Sequence, residues 1–176
     1  MTVSKTITPL AGSAGWFVVW THSRAEKQVA SRIAAMGMEQ WLPTVTERHQ
    51  WSDRWKDVVL PLFPGYVFAR GTAGELHRLL RTPGVMTIVK NGTRAAFLSD
   101  GFVSSLRRAI NTPELEPTAV SERCYGVEDE VVIREGPLAG LRGVVKEIRN
   151  GRRLVVWVGE IGRGVAFTLV PTAVSG

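Results

Sequence analysis

Residues 58–70 read VVLPLFPGYVFAR and contain the longest apolar run of the chain. Such a run is typical of a buried strand, but proline cannot donate a hydrogen bond within a sheet, so the two prolines exclude one continuous central strand. We predict a strand that bends at Phe63-Pro64-Gly65 and resumes in the sheet at Tyr66. Because prolines restrict the backbone on both sides of Phe63, we expect its ring to lie at the surface as a preorganised anchor for a partner.

Upstream of this stretch, the pattern predicts one strand and one helix. Residues 16–20, WFVVW, are β-branched and aromatic, which favours a strand. Ser23 and Glu26 have the spacing of a capping box, in which each side chain bonds to the other residue's backbone amide. We therefore predict a helix over residues 24–36 that ends at Gly37.

Residues 39–61 predict a hairpin. A strand over residues 39–49 is interrupted by Pro43, and the polar segment 50–56, QWSDRWK, is expected at the tip of the hairpin. Two tryptophans at such a tip favour base stacking or a protein contact, unless they fold back onto the sheet.

Residues 72–110 complete the first half of the chain. A second capping box, Thr72 to Glu75, is expected to start a short helix, and residues 85–90 form the next strand. Ser99 can cap a further helix that ends near Ile110. The order β-α-β-β-α-β, followed by a helix, predicts an α+β fold: a split βαβ domain with an antiparallel sheet and helices on one face.

The last third of the chain has a different pattern. Residues 111–126 lack periodicity and carry two prolines, which predicts a linker. Residues 127–176 contain short strands between glycine turns, as in a small SH3-like β-barrel. The predicted domains are therefore 15–110 and 127–176, after a disordered lead over residues 1–14.

The net charge of +6 is concentrated in the first part of the chain. Residues 1–110 hold 14 lysines and arginines against 7 acidic residues, whereas residues 111–176 hold 8 against 9. Five of the six tryptophans also lie in the first part. This asymmetry indicates one domain that faces nucleic acid and another that faces a protein, although a merely solvated basic surface is the alternative.

Composition and motifs exclude several classes of protein. The apolar fraction of 44% argues against disorder, and no apolar run has the roughly 20 residues of a membrane span. The single Cys124 cannot form an internal disulfide, which fits a reducing cytosol. Phosphate-binding loops, nucleophile elbows and metal-ligand spacings are not found in the sequence, so we expect neither an enzyme nor a cofactor.

Four segments resemble one protein family. PLFPGYVF is similar to the signature of the N-terminal (NGN) domain of NusG-type transcription elongation factors, and GWFVVWTHSRAEKQVASRI and TPGVMTIVKNG match that domain in order and spacing. The segment VEDEVVIREGPLAGLRGVVKEI resembles the KOW barrel that follows it. The resemblance covers residues 15–176. LPTVTERHQWSDRWK and GPLAGL are most similar to the specialised UpxY-like antiterminator paralogues.

The resemblance implies that the N-terminal domain binds the clamp helices of RNA polymerase and suppresses pausing or termination. The positions that correspond to the polymerase-binding surface are Trp20, Phe63, Pro64, Tyr66 and Ile88. Trp20 and Ile88 fit a core position equally well. The physical pattern favours Phe63 as the anchor.

The resemblance also implies two further partners. Contacts to non-template DNA or nascent RNA correspond to His22, Lys27 and Arg32, with Arg24 adjacent. Barrels of this family recruit a small-subunit ribosomal protein or Rho, and the matching surface here comprises Leu138, Ile161 and Arg163. General factors have an aromatic residue where this chain has Ile161, which weighs against Rho.

The sequence-based hypothesis is thus a monomeric antitermination factor of the bacterial cytoplasm. Two alternatives stay open: a free RNA- or ribosome-binding KOW protein, and a general factor that promotes termination.

Overall fold

The structure is a computed structural model that describes residues 12–112, 115, 117–121, 130–132, 139–148, 151–158 and 163–169. The chain divides into a first unit that ends at Phe97 and a second unit that begins at Leu98. No helix among the described residues is long and apolar enough to cross a membrane.

The first unit is built on an antiparallel sheet. Its elements are β1 (Gly15–Thr21), α1 (Glu26–Ala35), β2 (Gln40–Trp41), β3 (Thr44–Gln50), β4 (Trp55–Pro61), β5 (Tyr66–Gly71), a 3₁₀ turn (Ala73–Glu75), α2 (Leu76–Leu80), β6 (Val85–Ile88), β7 (Lys90–Asn91), β8 (Arg94–Ala95) and β9 (Phe97–Leu98). The strand order β2-β5-β1-β6 places β1 at the centre, paired with β5 and β6. The predicted mixed fold with an antiparallel sheet is confirmed.

The core of the first unit lies where the helices pack on the sheet. Phe17 and Val19 of β1 pack with Val29 and Ile33 of α1 and with Leu79 of α2, and all five are buried. Full burial of such side chains stabilises a fold by about 1.5–3 kcal/mol each. The apolar stripe of α1 that contains Val29 and Ile33 is therefore the face that fixes the helix on the sheet.

Gly15 allows an aromatic contact beside this core. The Phe97 ring packs edge-on against Phe17, with 5.5 Å between ring centroids. A Cβ atom at residue 15 would lie 1.9 Å from the Phe97 ring. Glycine is therefore required at this position by the close approach of the ring.

The predicted bend in the 58–70 stretch is confirmed. β4 ends at Pro61, β5 begins at Tyr66, and Gly65 between them has a φ of +86°, a conformation that favours glycine. Pro43 separates β2 from β3 as expected. β3 and β4 form a two-stranded sheet of their own, with Gln50 opposite Trp55.

The first predicted capping box is wrong, whereas the second is confirmed. α1 begins at Glu26, and its N-cap residue Ala25 provides no side-chain hydrogen bond. The Oε1 atom of Glu26 instead accepts a hydrogen bond from the backbone N–H of Gly65. The Glu75 carboxylate does reach back to the backbone N–H of Thr72, at 2.9 Å.

The second unit combines one helix with a second antiparallel sheet. α3 (Asp100–Ile110) is capped by the Ser99 hydroxyl, which accepts a hydrogen bond from the Phe102 N–H at 3.2 Å. The sheet has the order β10-β14-β13-β12-β11. Its strands are β10 (Pro117–Ser121), β11 (Glu130–Val132), β12 (Arg142–Ile148), β13 (Gly151–Val158) and β14 (Arg163–Leu169).

β10 lies within the segment that the sequence predicts as a linker. Pro117–Ser121 pairs with β14 along five residues, with Thr118 opposite Ala166. Edge pairing tolerates the proline at the start of the strand, because only one side of an edge strand must donate to a ladder. The other four strands lie within residues 127–176, where short strands are expected. The predicted lead over residues 1–14 falls mostly outside the described residues.

Candidate functional site: an aromatic rim and a basic cleft

Trp20 lies at the end of the central strand β1, on the face opposite the helices. It pairs across the sheet with Tyr66 on one side and Thr87 on the other, and 43% of its side chain is exposed. Its indole lies over Gly65, where a Cβ atom would be 3.6 Å from the indole Cδ1 and Nε1 atoms. The Thr21 N–H also donates to the Gly65 carbonyl at 2.8 Å. Trp20 and the bend are thus held together.

Two other predicted polymerase-binding residues flank the indole. Pro64 is exposed, and Tyr66 is half-buried. The Tyr66 N–H donates to the Phe63 carbonyl at 3.1 Å, which closes the turn. Trp20, Pro64 and Tyr66 form a surface that we name the aromatic rim. Such a surface has the large apolar area and the preorganised backbone that protein interfaces use.

Phe63 and Ile88 do not belong to the rim. The expectation that Phe63 is exposed is wrong: its side chain is 0% exposed and packs edge-on against Phe68, with 5.9 Å between centroids. The positive φ of Gly65 reverses the chain, and the ring turns inward onto the sheet. Ile88 is 4% exposed and belongs to the helix-side core. In this structure the Phe63 ring is therefore buried beneath the bend and is not part of the exposed surface.

The bend is also tied to the start of α1. Glu26 is 6% exposed, and its Oε1 atom accepts a hydrogen bond from the Gly65 N–H at 2.7 Å. A buried carboxylate with a backbone donor is a strong, directional contact. It fixes the rim relative to the helix that carries the predicted nucleic-acid contacts.

The four predicted nucleic-acid contacts are exposed on and before α1. His22 and Arg24 precede the helix, and Lys27 and Arg32 lie on it. Arg24 has a φ of 63°, which is unusual for a residue other than glycine. Lys27 Nζ donates to the Val59 carbonyl at 3.1 Å. The structure therefore places all four on an accessible surface of the first unit.

A surface cleft of about 450 Å³ lies beside Arg32. It is lined by Arg32, Ala35, Met36, His77, Arg78, Arg81, Thr82 and Pro83. Arg32 Nη1 donates to the Pro83 carbonyl at 2.6 Å, and Arg78 Nη2 donates to the Met36 carbonyl at 2.7 Å. A guanidinium has five N–H donors, so these contacts hold each group in place and leave donors for phosphate oxygens.

The sequence analysis did not assign His77, Arg78 and Arg81 to a site. The signal was present as HRLLR, residues 77–81, in which the two arginines are spaced by three and therefore share a helix face. What the sequence could not supply is the packing of the end of α2 against the end of α1. That packing places these three side chains in the same cleft as Arg32.

The predicted barrel contacts are described only in part. Leu138 and Ile161 lie outside the described residues. Arg163 begins β14, where it is paired with Val158 and with Ser121. In the parts of the chain that the structure describes, no group of three His, Cys, Asp or Glu side chains could hold a metal ion.

Comparison with known proteins identifies the family. The family model described as NusG, transcription termination factor nusG, matches residues 14–107, more than half of the chain and nearly all of the first unit. This chain belongs to the NusG family. NusG-family proteins are transcription factors of elongation and antitermination that bind RNA polymerase, not enzymes.

A NusG relative agrees with this assignment. The transcription termination/antitermination protein NusG of Halalkalibacterium halodurans is 27% identical over 163 residues, which cover 84% of this chain and 90% of that protein.

Solved structures with similar chains include Thermotoga maritima NusG, from a study of its domain interaction, at 24% identity, 89% and 93% coverage and a TM-score of 0.49. A chain of the MjSpt4:Spt5 complex is 20% identical, with 79% and 83% coverage and a TM-score of 0.33. Both TM-scores are below 0.5, so the family assignment rests on the sequence match.

Proposed function

We propose that this chain is an antitermination factor of the bacterial cytoplasm, of the UpxY-like type, which binds the clamp helices of RNA polymerase and suppresses pausing or termination. The observation that carries the proposal is the aromatic rim. Trp20 is a large, exposed indole at the end of an otherwise buried strand. It packs over Gly65 of the bend, and the N–H of the next residue, Thr21, donates to the Gly65 carbonyl.

The rim suits a preformed protein contact. Trp20 is held by Gly65 and by its cross-strand neighbours, so little conformational entropy is lost when a partner covers it. Buried tryptophans contribute strongly to protein interfaces. A factor that binds the closed state of the polymerase better than its paused state shifts the population toward elongation without catalysing a step.

The basic side chains on and before α1 support a nucleic-acid contact in the same complex. His22, Arg24, Lys27 and Arg32 are exposed, and the cleft adds Arg78 and Arg81 to this charge. Cations of this kind contact phosphates and give salt-dependent, weakly sequence-specific binding. We assign them to non-template DNA or nascent RNA at the polymerase.

We further propose that the five-stranded sheet of the second unit is part of a KOW-type SH3-like barrel that recruits a second protein. Its antiparallel order and its buried Val156, Val165 and Phe167 support a small β domain with its own core. Leu138, Ile161 and Arg163 are the proposed contact residues, and a small-subunit ribosomal protein or Rho is the proposed partner. We propose that the factor acts as a monomer.

The experiment that tests the proposal is in vitro transcription by bacterial RNA polymerase on a template with pauses and terminators, with and without Rho. The wild-type chain should increase read-through, and Trp20→Ala should abolish the increase. Met86→Ala is the matched control, since Met86 is also a large exposed apolar residue of the sheet but does not belong to the aromatic rim.

Each remaining outcome is informative. Enhanced termination by the wild type with Rho would favour a general termination-promoting factor. If the wild type has no effect, the native upstream DNA is added as a loading element. If the wild type still has no effect on the template that carries this DNA, and does not bind core polymerase, the proposal is overturned. The free RNA- or ribosome-binding alternative would then be favoured.

A further inference from the structure

The β3–β4 hairpin is the most exposed part of the first unit. Residues 46–57 are all exposed, and the two strands pair with each other rather than with the main sheet. An isolated two-stranded hairpin is marginally stable in water and has no core of its own, so the apolar side chains at its tip are not buried by the hairpin itself. The two tryptophans of the tip, Trp51 and Trp55, are each 56% exposed.

The two indoles lie on opposite faces of the hairpin. Trp55 is paired with Gln50, and the Trp51 N–H donates to the Arg54 carbonyl at 2.8 Å across the turn. Since side chains alternate along a strand, Trp51 lies on the face opposite Gln50 and Trp55. Because both indoles are more than half exposed, neither is folded back and buried against the main sheet, which was the alternative left open by the sequence.

Each indole has a cation beside its ring. The Arg48 guanidinium lies 5.8 Å from the centroid of Trp55, and the Lys56 ammonium lies 5.8 Å from the centroid of Trp51. The same unit, a flat π surface next to a positive charge, is thus repeated on both faces. Unpaired nucleobases stack on such rings, and the neighbouring cation contacts the phosphate.

Two acidic residues of the hairpin strands, Asp57 and Glu47, leave these cations available. Asp57 is 4.0 Å from Arg48, with both side chains about 70% exposed, and such surface pairs are weak. Glu47 contacts His49 at 3.0 Å instead of either cation. The base of the hairpin is joined to α1, where Lys27 Nζ donates to the Val59 carbonyl. The basic surface of α1 therefore adjoins the hairpin.

We propose that the hairpin tip is a second nucleic-acid site, in which Trp51 and Trp55 each stack an unpaired base of a single strand and Lys56 and Arg48 contact its phosphates. The recognised features are exposed bases and phosphates rather than the sugar, so DNA and RNA single strands both qualify. This site is separate from the contacts assigned to α1 and does not depend on polymerase binding.

The test measures binding of the full-length free chain to fluorescent single-stranded 12-mers, as DNA and as RNA of the same sequence, with the DNA duplex as a comparison. Each of Trp51→Ala and Trp55→Ala should raise the Kd for single strands roughly 5- to 150-fold, the range for loss of one stacked base. Trp55→Phe should retain most of the affinity because it keeps a π face. Lys56→Gln should lower the salt slope by about 0.7.

Val59→Ala is the matched control, since this exposed apolar side chain lies on the Trp55 face but cannot stack a base. Circular dichroism of each variant verifies the fold. Unchanged single-strand affinity in both alanine variants, or absence of single-strand binding by the wild type, would overturn the proposal. Unchanged affinity together with weaker binding of core polymerase would instead identify the tip as a protein contact. The proposal would also be contradicted if the wild type bound the duplex more tightly than single strands and both alanine variants kept that preference.

Discussion

The carboxylate of Glu26 accepts a hydrogen bond from the backbone N–H of Gly65 at 2.7 Å, across 39 residues of sequence. This contact joins the first turn of α1 to the proline–glycine bend, and Trp20 packs over the same glycine. The basic helix α1 and the aromatic rim thus both contact Gly65. Their relative geometry depends on a buried carboxylate rather than on a helix cap.

We predict that Glu26→Ala destabilises the first unit by about 1–3 kcal/mol, because the Gly65 N–H would be left without its partner. Glu26→Gln keeps an acceptor oxygen and should cost less. Urea unfolding followed by tryptophan fluorescence measures both. Ser23→Ala is the control: since Ser23 does not cap α1, its unfolding free energy should match the wild type. Equal losses for Glu26→Ala and Ser23→Ala would restore the capping-box interpretation.

Phe63→Ala should destabilise the chain by about 3–5 kcal/mol, the usual result of removing a buried aromatic side chain. Trp20→Ala should change stability by no more than about 1 kcal/mol, because its indole is exposed. Thermal unfolding of the two variants provides the comparison. Loss of transcription activity in Phe63→Ala would then reflect the fold, whereas loss in Trp20→Ala would reflect a contact. A stable, inactive Phe63→Ala variant would show instead that Phe63 is itself the anchor.

The strand and helix order of the first unit followed from local signals. The apolar runs, Pro43, the bend at Gly65 and the Ser99 cap each depend on residues close in sequence, so pattern and turn chemistry sufficed. The hydrogen-bond partner of Glu26 could not be predicted from local signals. A backbone amide 39 residues away competes with the local cap, and no short-range rule detects that amide. The prediction that Phe63 is exposed was wrong for the same reason, since its ring packs on Phe68 of the next strand.

The candidate sites were predictable in composition but not in arrangement. The exposed cations of α1 could be assigned from the sequence, whereas the contributions of Arg78 and Arg81 required the packing of α2 against α1. The hairpin tip was recognised as aromatic and polar. That each indole would have its own cation, on opposite faces, follows only from the strand register, which pairs Gln50 with Trp55.

The capping box at Glu75 predicts a defined pH dependence. The backbone N–H and hydroxyl of Thr72, and then the nearby Arg78, lower the pKa of Glu75 below its usual value of 4.5. The ionised carboxylate therefore stabilises the fold above about pH 4.5, and this contribution disappears as the pH falls through the lower pKa of the folded state. Glu75→Gln should flatten the stability profile below pH 4.5. Unfolding midpoints between pH 3 and pH 7 measure this, and identical profiles for variant and wild type would contradict the assignment.

Arg24 allows stability and nucleic-acid binding to be separated at one residue. Its φ of 63° is unfavourable for any side chain with a Cβ atom by roughly 1–2 kcal/mol, whereas glycine adopts it freely. Arg24→Gly should therefore unfold at a higher urea concentration than the wild type and yet bind nucleic acid more weakly, with a smaller salt slope. Arg24→Ala removes the same charge but keeps the Cβ atom, so it should lose affinity without gaining stability. If both variants bind single-stranded and duplex DNA as the wild type does, Arg24 is a solvated cation and its assignment as a nucleic-acid contact is wrong.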